Sequence, residues 1–251
     1  MRTNEFGQPV GEPVPGWTPP PPVTEVTLTG RHCTVEPLAD RHLDDLHRAL
    51  VVESPPETWT YLSRGPFADR SGLEDYLEGL RAPADWAAHA ILDREGRAQG
   101  VACYLRIAPA AGSVEVGGLT FGPALRRTTA ATEAMHLMAA HAFELGYRRY
   151  EWKCDALNAP SRAAARRLGF RPEGIFRNAL VYKGRNRDTA WFAITDSDWP
   201  RIREAHRSWL APANFDATGR ARTSLSDLTA VDTMPHVGTA ISHDGTHGRL
   251  S

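Results

Sequence analysis

Apolar and polar positions recur along this chain in short blocks whose period changes often, which predicts a layered fold of strands and helices. Val26 to Pro37 reads as a strand, and Asp40 opens a helix with Leu43, Leu46 and Leu50 on one face. Pro55 and Pro56 begin a short second helix through Trp59 and Leu62. The Ser71 to Glu74 spacing is a capping box for a third, whose buried face is Leu73, Tyr76, Leu77 and Leu80. Trp86 to Asp93 and Gln99 to Ile107 form two strands around the turn Arg94-Glu95-Gly96, and Ser113 to Phe121 adds a third strand. A long helix, about Thr129 to Leu145, carries Ala134, Met138, Ala142 and Leu145 on one face and ends at Gly146. Then come a strand from Tyr147 to Asp155, a helix from Asn158 to Leu168 and a hairpin of Ile175–Lys183 with Asp188–Thr195. A last helix runs from Asp196 to about Leu210. This order predicts an α/β (α+β) fold, a mixed sheet with helices on both faces.

Flanking segments break the pattern. Residues 1–24 hold Pro9, Pro13, Pro15 and the run Pro19 to Pro22, so they form an extended arm, with Phe6 and Trp17 as candidate anchors along a domain of residues 25–210. Residues 211–251 lack a sustained period and read as a mostly disordered tail. Its His236, His243 and His247 have no metal-ligand spacing, so no metal is assigned. With 29 basic against 30 acidic residues, nothing demands nucleic acid as a partner, and no stretch is apolar enough to span a membrane. The three cysteines, Cys33, Cys103 and Cys154, make no paired framework. Together with the absence of an apolar leader, this points to a cytoplasmic protein, monomer or homodimer.

The chemistry concentrates at two places. Between strand and helix, the segment Leu119-Thr-Phe121-Gly-Pro-Ala-Leu-Arg126-Arg127-Thr128-Thr129-Ala130-Ala131 gathers small and basic residues where free amides converge on a helix start. That is an anion site, or a threonine-capped helix with two solvated arginines. Some thirty residues on stands Asn158-Ala-Pro-Ser161, followed by Gly169-Phe170-Arg-Pro-Glu173-Gly174. Together these motifs resemble the GNAT superfamily of acyl-CoA N-acyltransferases, near its ribosomal-protein N-terminal acetyltransferase group, over about Leu28 to Trp199.

The resemblance implies a splayed parallel strand pair, residues 113–121 and 147–155, with coenzyme A between them as part of acetyl-CoA or another acyl-CoA. Leu119 and Phe121 would flank the pantetheine, residues Arg126, Arg127, Thr128, Thr129, Ala130 and Ala131 would hold the pyrophosphate, and Asn158 would bond the pantetheine region. Thr129 stands where the family pattern has glycine, and its side chain would either crowd the phosphate or donate to it. Ser161 would protonate or stabilise the leaving thiolate. The acceptor would be a primary amine of a small molecule or protein N-terminus.

An ammonium must lose its proton before attacking a thioester. Glu115 is the candidate base by resemblance, with Glu151 and Asp155 in reserve, and Gly117-Gly118 either bring a backbone N–H to the oxyanion or mark a simple bulge. A succinyl donor would need a cation such as Lys153 or Arg106. Trp59 is a candidate for lining the acceptor site. The histidines are isolated, and no GxSxG, P-loop, GxGxxG or HExxH motif occurs. The competing function is a non-catalytic acyl-CoA-binding sensor on the same fold.

Overall fold

The computed structural model describes residues 2–230. Arg2–Thr3 (β1) and Pro9–Val10 (β2) make a small separate hairpin. The main sheet has eight strands: Leu28–Thr29 (β3), Thr34–Pro37 (β4), Ala87–Leu92 (β5), Ala98–Ala108 (β6), Ser113–Phe121 (β7), Arg149–Asp155 (β8), Arg171–Tyr182 (β9) and Arg185–Thr195 (β10). Their order is β3-β4-β5-β6-β7-β8-β10-β9, antiparallel throughout except for β7 and β8. Six α-helices accompany them: Leu43–His47 (α1), Arg70–Arg81 (α2), Thr129–Glu144 (α3), Ala159–Arg167 (α4), Trp199–Leu210 (α5) and Leu225–Thr229 (α6).

Every residue of β5 is buried, because the sheet centre is covered on both faces. On one face Val114, Val116, Tyr150 and Trp152 pack with Met135 and Met138 of α3 and Ile202 of α5. On the other, Ala88, Ala90, Val101 and Cys103 meet Leu46, Leu73, Leu77 and Leu80 from α1 and α2. All three cysteines are free and buried.

Four features depart from the sequence reading. The strand from Val26 to Pro37 is broken into β3 and β4, because the amides of Arg31, His32 and Cys33 turn inward to the buried carboxylate of Glu133 on α3. Helix α2 is capped by Asp69, not Ser71: its Oδ1 accepts from Gly72 N–H at 3.0 Å, and a carboxylate also complements the positive end of the helix. Phe6 is 77% exposed and anchors nothing. The arm instead docks through Trp17, whose ring edge lies 3.0 Å from where a Cβ on Gly112 would stand, and through buried Val23, whose N–H donates to the Tyr147 hydroxyl.

The fourth concerns the tail. Residues 212–230 are folded onto the domain, so the ordered unit extends beyond residue 210. Phe215 packs edge-on against Trp209, Leu225 is buried, and the Thr229 hydroxyl donates to the Arg167 carbonyl. Three anchors suffice where the composition is otherwise polar. The remaining expectation for the tail, with its three histidines, lies outside the described residues.

Two buried histidines set an acid limit on stability. His89 accepts from Val26 N–H through Nε2 and donates from Nδ1 to the Ala87 carbonyl, so the fold fixes a neutral tautomer. His206 donates from Nε2 to the Leu168 carbonyl, and its Nδ1 faces His136 Nδ1 at 3.3 Å. Burial lowers His89 from 6.5 to about 4 and His206 from 6.5 to about 3. Below pH 6.5 the unfolded chain therefore binds protons that the folded chain refuses. Stability is lost as the pH falls from about 6.5 towards those folded values, and at pH 5 the cost is about 2 kcal/mol per ring. Thermal unfolding should occur at lower temperature at pH 5 than at pH 7, and His206→Gln should weaken the dependence. Equal midpoints at the two pH values would contradict this.

Candidate active site

Parallel pairing of β7 with β8 covers only Ser113↔Arg149 through Val116↔Trp152. Beyond it β7 runs on to Phe121 and β8 to Asp155 with no pairing between them. The cause lies in β7. Its register against β6 jumps between Val101↔Thr120 and Cys103↔Gly117, an extra residue that makes a bulge at Gly118, where φ is +60°. The bulge turns the end of β7 away from β8 and opens a wedge flanked by Leu119, Phe121, Lys153 and Cys154.

The wedge leads to the start of α3. Thr128 caps this helix, accepting from Ala131 N–H at 3.2 Å and donating to the Leu125 carbonyl. Ala131 N–H, assigned to phosphate from sequence, is thus used internally. Among the described residues the N–H groups of Arg127, Thr129 and Ala130 have no acceptor, and Arg127, at φ +60°, makes no ion pair. Free amides at a helix N-terminus beside a solvated guanidinium favour an anion. Arg126, by contrast, is turned back: its Nε donates to the Phe121 carbonyl at 2.7 Å and its guanidinium to Thr58 Oγ1 at 2.6 Å. It braces the loop. Thr129 occupies the first helical turn, and its side chain makes no hydrogen bond among the described residues.

At the far lip of the wedge Asn158 caps α4, accepting from Ser161 N–H at 3.1 Å. Ser161 Oγ accepts in turn from Trp152 Nε1 at 3.0 Å. With an indole N–H on the oxygen, the serine hydroxyl keeps its own hydrogen to donate.

On the sheet face towards α1 and α2, the parallel register sets Glu115 directly beside Glu151. Two carboxylates so placed repel unless cations join them. Arg106 pairs with Glu115, Lys153 Nζ lies 3.5 Å from Glu115 and 3.0 Å from Glu151, and Arg149 binds both Glu151 and Glu173. Arg106 reaches this face because it sits at φ +46° in an irregularity of the β6–β7 ladder. Strict alternation would have pointed it to the other side. Lys153 also lies over the Trp191 ring, 3.3 Å from its centroid. Burial lowers its pKa to about 8, although Glu151 pulls the other way.

Two sequence candidates are engaged in the fold. Asp155 accepts from Leu157 N–H and the Tyr182 hydroxyl, one bond on each oxygen. Trp59 is core, its buried ring edge-on to Phe67 and Tyr76, and its carbonyl accepts from Lys183 Nζ in the β9–β10 hairpin. Sequence reasoning did not find the pairing of Trp152 with Ser161, since a nine-residue separation across a loop has no readable period. No group of three or more metal-ligating side chains exists among the described residues, and none of their helices is long and apolar enough to cross a membrane.

A parallel pair that parts before a helix N-terminus is what the sequence resemblance implies. The model of the acetyltransferase (GNAT) domain matches residues 32–171, and the chain belongs to that family. It is similar to a GCN5-related N-acetyltransferase from Brucella melitensis at 42% identity and TM-score 0.83, over 86% of this chain and 99% of that one. A probable acetyltransferase (GNAT family) from Chromobacterium violaceum ATCC 12472 is 39% identical with TM-score 0.72, over 76% of this chain and 97% of that one. A ribosomal L7/L12 alpha-N-protein acetyltransferase shares the fold alone, at 18% identity, TM-score 0.59 and 68% of this chain against 94% of its own. No match to a curated protein was found.

Proposed function

We propose that the protein transfers an acetyl group from acetyl-CoA to a primary amine by direct attack on the thioester. The observation that supports this reading is that the parallel pairing of β7 with β8 stops at Val116↔Trp152, between the carboxylate cluster at Glu115 and the free amides at the start of α3. The pyrophosphate would meet the N–H groups of Arg127, Thr129 and Ala130 with Arg127 alongside, and the pantetheine would run between Leu119 and the end of β8.

Glu115 takes the proton that the acceptor ammonium must lose, directly or through water. The free nitrogen lone pair attacks the thioester carbon, the backbone at the Gly118 bulge faces the developing oxyanion, and collapse expels the thiolate. Ser161, its oxygen occupied by Trp152, donates to that sulfur. The donor is acetyl rather than succinyl: a distal carboxylate would meet Glu115 and Glu151, and Arg106 and Lys153 are already committed to those two groups.

Glu115→Gln tests the reading. Transfer to amines should be lost while coenzyme A still binds, whereas an absence of transfer in both forms would favour a non-catalytic acyl-CoA-binding module.

A further inference from the structure

Arginine supplies nearly every cation in this chain. Two of the 29 basic residues are lysines, Lys153 and Lys183. Lys183 has a structural task, donating to the Trp59 carbonyl at 2.7 Å. Lys153 is the first β8 residue past the last parallel pair, its side chain only 7% exposed between Glu115 and Glu151. Ion pairing alone does not call for lysine there. Arginine forms firmer planar pairs with carboxylates, is more weakly hydrated, and already serves the same two carboxylates as Arg106 and Arg149. What lysine adds is a neutral form within reach of ordinary pH.

We propose that Lys153 is the final proton acceptor of the transfer reaction, receiving through Glu115 the proton that the acceptor amine gives up. The inference rests on the acyl-transfer reading above. A carboxylate is a far weaker base than an alkylamine, and a proton taken by Glu115 from an alkylammonium would return from it at once. A neutral amine 3.5 Å further on holds that proton far more firmly. The proton passes from the acceptor nitrogen to Glu115 and on to the lone pair of Lys153 Nζ. The freed acceptor pair forms the C–N bond as the C–S bond breaks; the thiolate takes a proton from Ser161, and the second proton that the acylated nitrogen sheds returns to Ser161 through water. Lys153 then releases its proton to solvent.

The groups around Lys153 suit this use. Burial is the largest influence and lowers its pKa to about 8, Arg106 from β6 and Arg149 from β8 act in the same direction, and Glu151 opposes them. Glu115 faces it from β7 at 3.5 Å. From β10, Trp191 contributes an aromatic face with no titratable group. Glu173 on β9 is engaged by Arg149.

The test is the pH dependence of amine acetylation by the full chain, wild type against Lys153→Arg, with coenzyme A affinity measured on both. Arginine keeps the charge that pairs with Glu115 and Glu151 but cannot titrate. Wild-type kcat should rise through a limb near pH 8. Lys153→Arg should still bind coenzyme A but, when saturated with it, turn over about tenfold or more slowly at that pH and lose that limb. A Lys153→Arg enzyme with the wild-type rate and limb would overturn the proposal. So would an acetyl adduct on Lys153 after incubation with acetyl-CoA alone, since it would make the amine a nucleophile. Absence of amine-dependent transfer by the wild type would instead overturn the acyl-transfer reading itself.

Discussion

Replacing Glu115 by glutamine is expected to lower kcat for amine acetylation by about 10²–10⁴-fold, the usual worth of a positioned general base. The amide matches the carboxylate in shape but cannot accept a proton, so ammonium substrates would be bound and left charged. Coenzyme A affinity should not change, because Glu115 lies on the parallel-paired part of β7 and the free amides lie beyond Phe121. Some stability will be lost, since Arg106 and Lys153 would face a neutral group. Affinity for coenzyme A therefore serves as the check on folding. Raising the pH should recover part of the rate, as more substrate then arrives as free amine. A Glu115→Gln enzyme with near wild-type kcat would remove Glu115 from the mechanism.

Glu133→Gln should be the costliest conservative change in the scaffold. Oε1 accepts from Arg31 N–H at 2.9 Å, and Oε2 accepts from His32 N–H at 2.6 Å and Cys33 N–H at 3.1 Å. The Cys33 thiol is also near, and burial together with this carboxylate pushes it well above its ordinary value. Glutamine offers one acceptor oxygen and turns an NH₂ group towards backbone donors on the other side. At least one of the three N–H groups is left without its acceptor, and the charge assistance to the rest is lost, at a cost of about 2–4 kcal/mol. For a chain of this size that is a fall in Tm of roughly 5–15 °C. Glycine at position 30 is part of the same latch, since a Cβ there would collide with the Glu133 carboxylate. A Glu133→Gln protein melting with the wild type would show that the turn at residues 30–33 is held by its own backbone.

Much of the fold was legible because burial follows period. Leu73, Tyr76, Leu77 and Leu80 of α2 are buried as their spacing predicts, and the boundaries of β7 and α3 fall within a residue of the pattern. The failures are places where one long-range contact overrides a local signal. Glu133, a hundred residues away, breaks the strand at Gly30. Asp69 takes a cap from Ser71 by virtue of its charge. Leu225 and Phe215 fold a segment whose composition is otherwise that of a tail.

The candidate site divides the same way. The motif residues Arg127 and Thr129 follow the unpaired end of β7, and Asn158 and Ser161 that of β8, since strand–loop–helix order is local. Which hydrogen bonds they spend internally was not legible: Arg126 is folded back on Phe121 and Thr58, and Ala131 N–H is capped by Thr128. The carboxylate cluster needed the sheet register, which sets Glu115 beside Glu151, and a bulge that brings Arg106 to their face. The scarcity of lysine was visible in the sequence throughout, but it gains meaning only once Lys153 is seen between two carboxylates.

The central claim is that the wedge between β7 and β8 holds an acyl-CoA, and calorimetric titration of acetyl-CoA into the full chain tests it most directly. The account predicts one site per chain with a dissociation constant between about 1 µM and 1 mM, the usual span of enzyme KM values. Free coenzyme A should compete, and Arg127→Glu should weaken binding by setting a carboxylate beside the phosphates. A titration with no heat and no competition would mean that Thr129 and the cap at Thr128 close the anion site, and the acyl-transfer account would then fail.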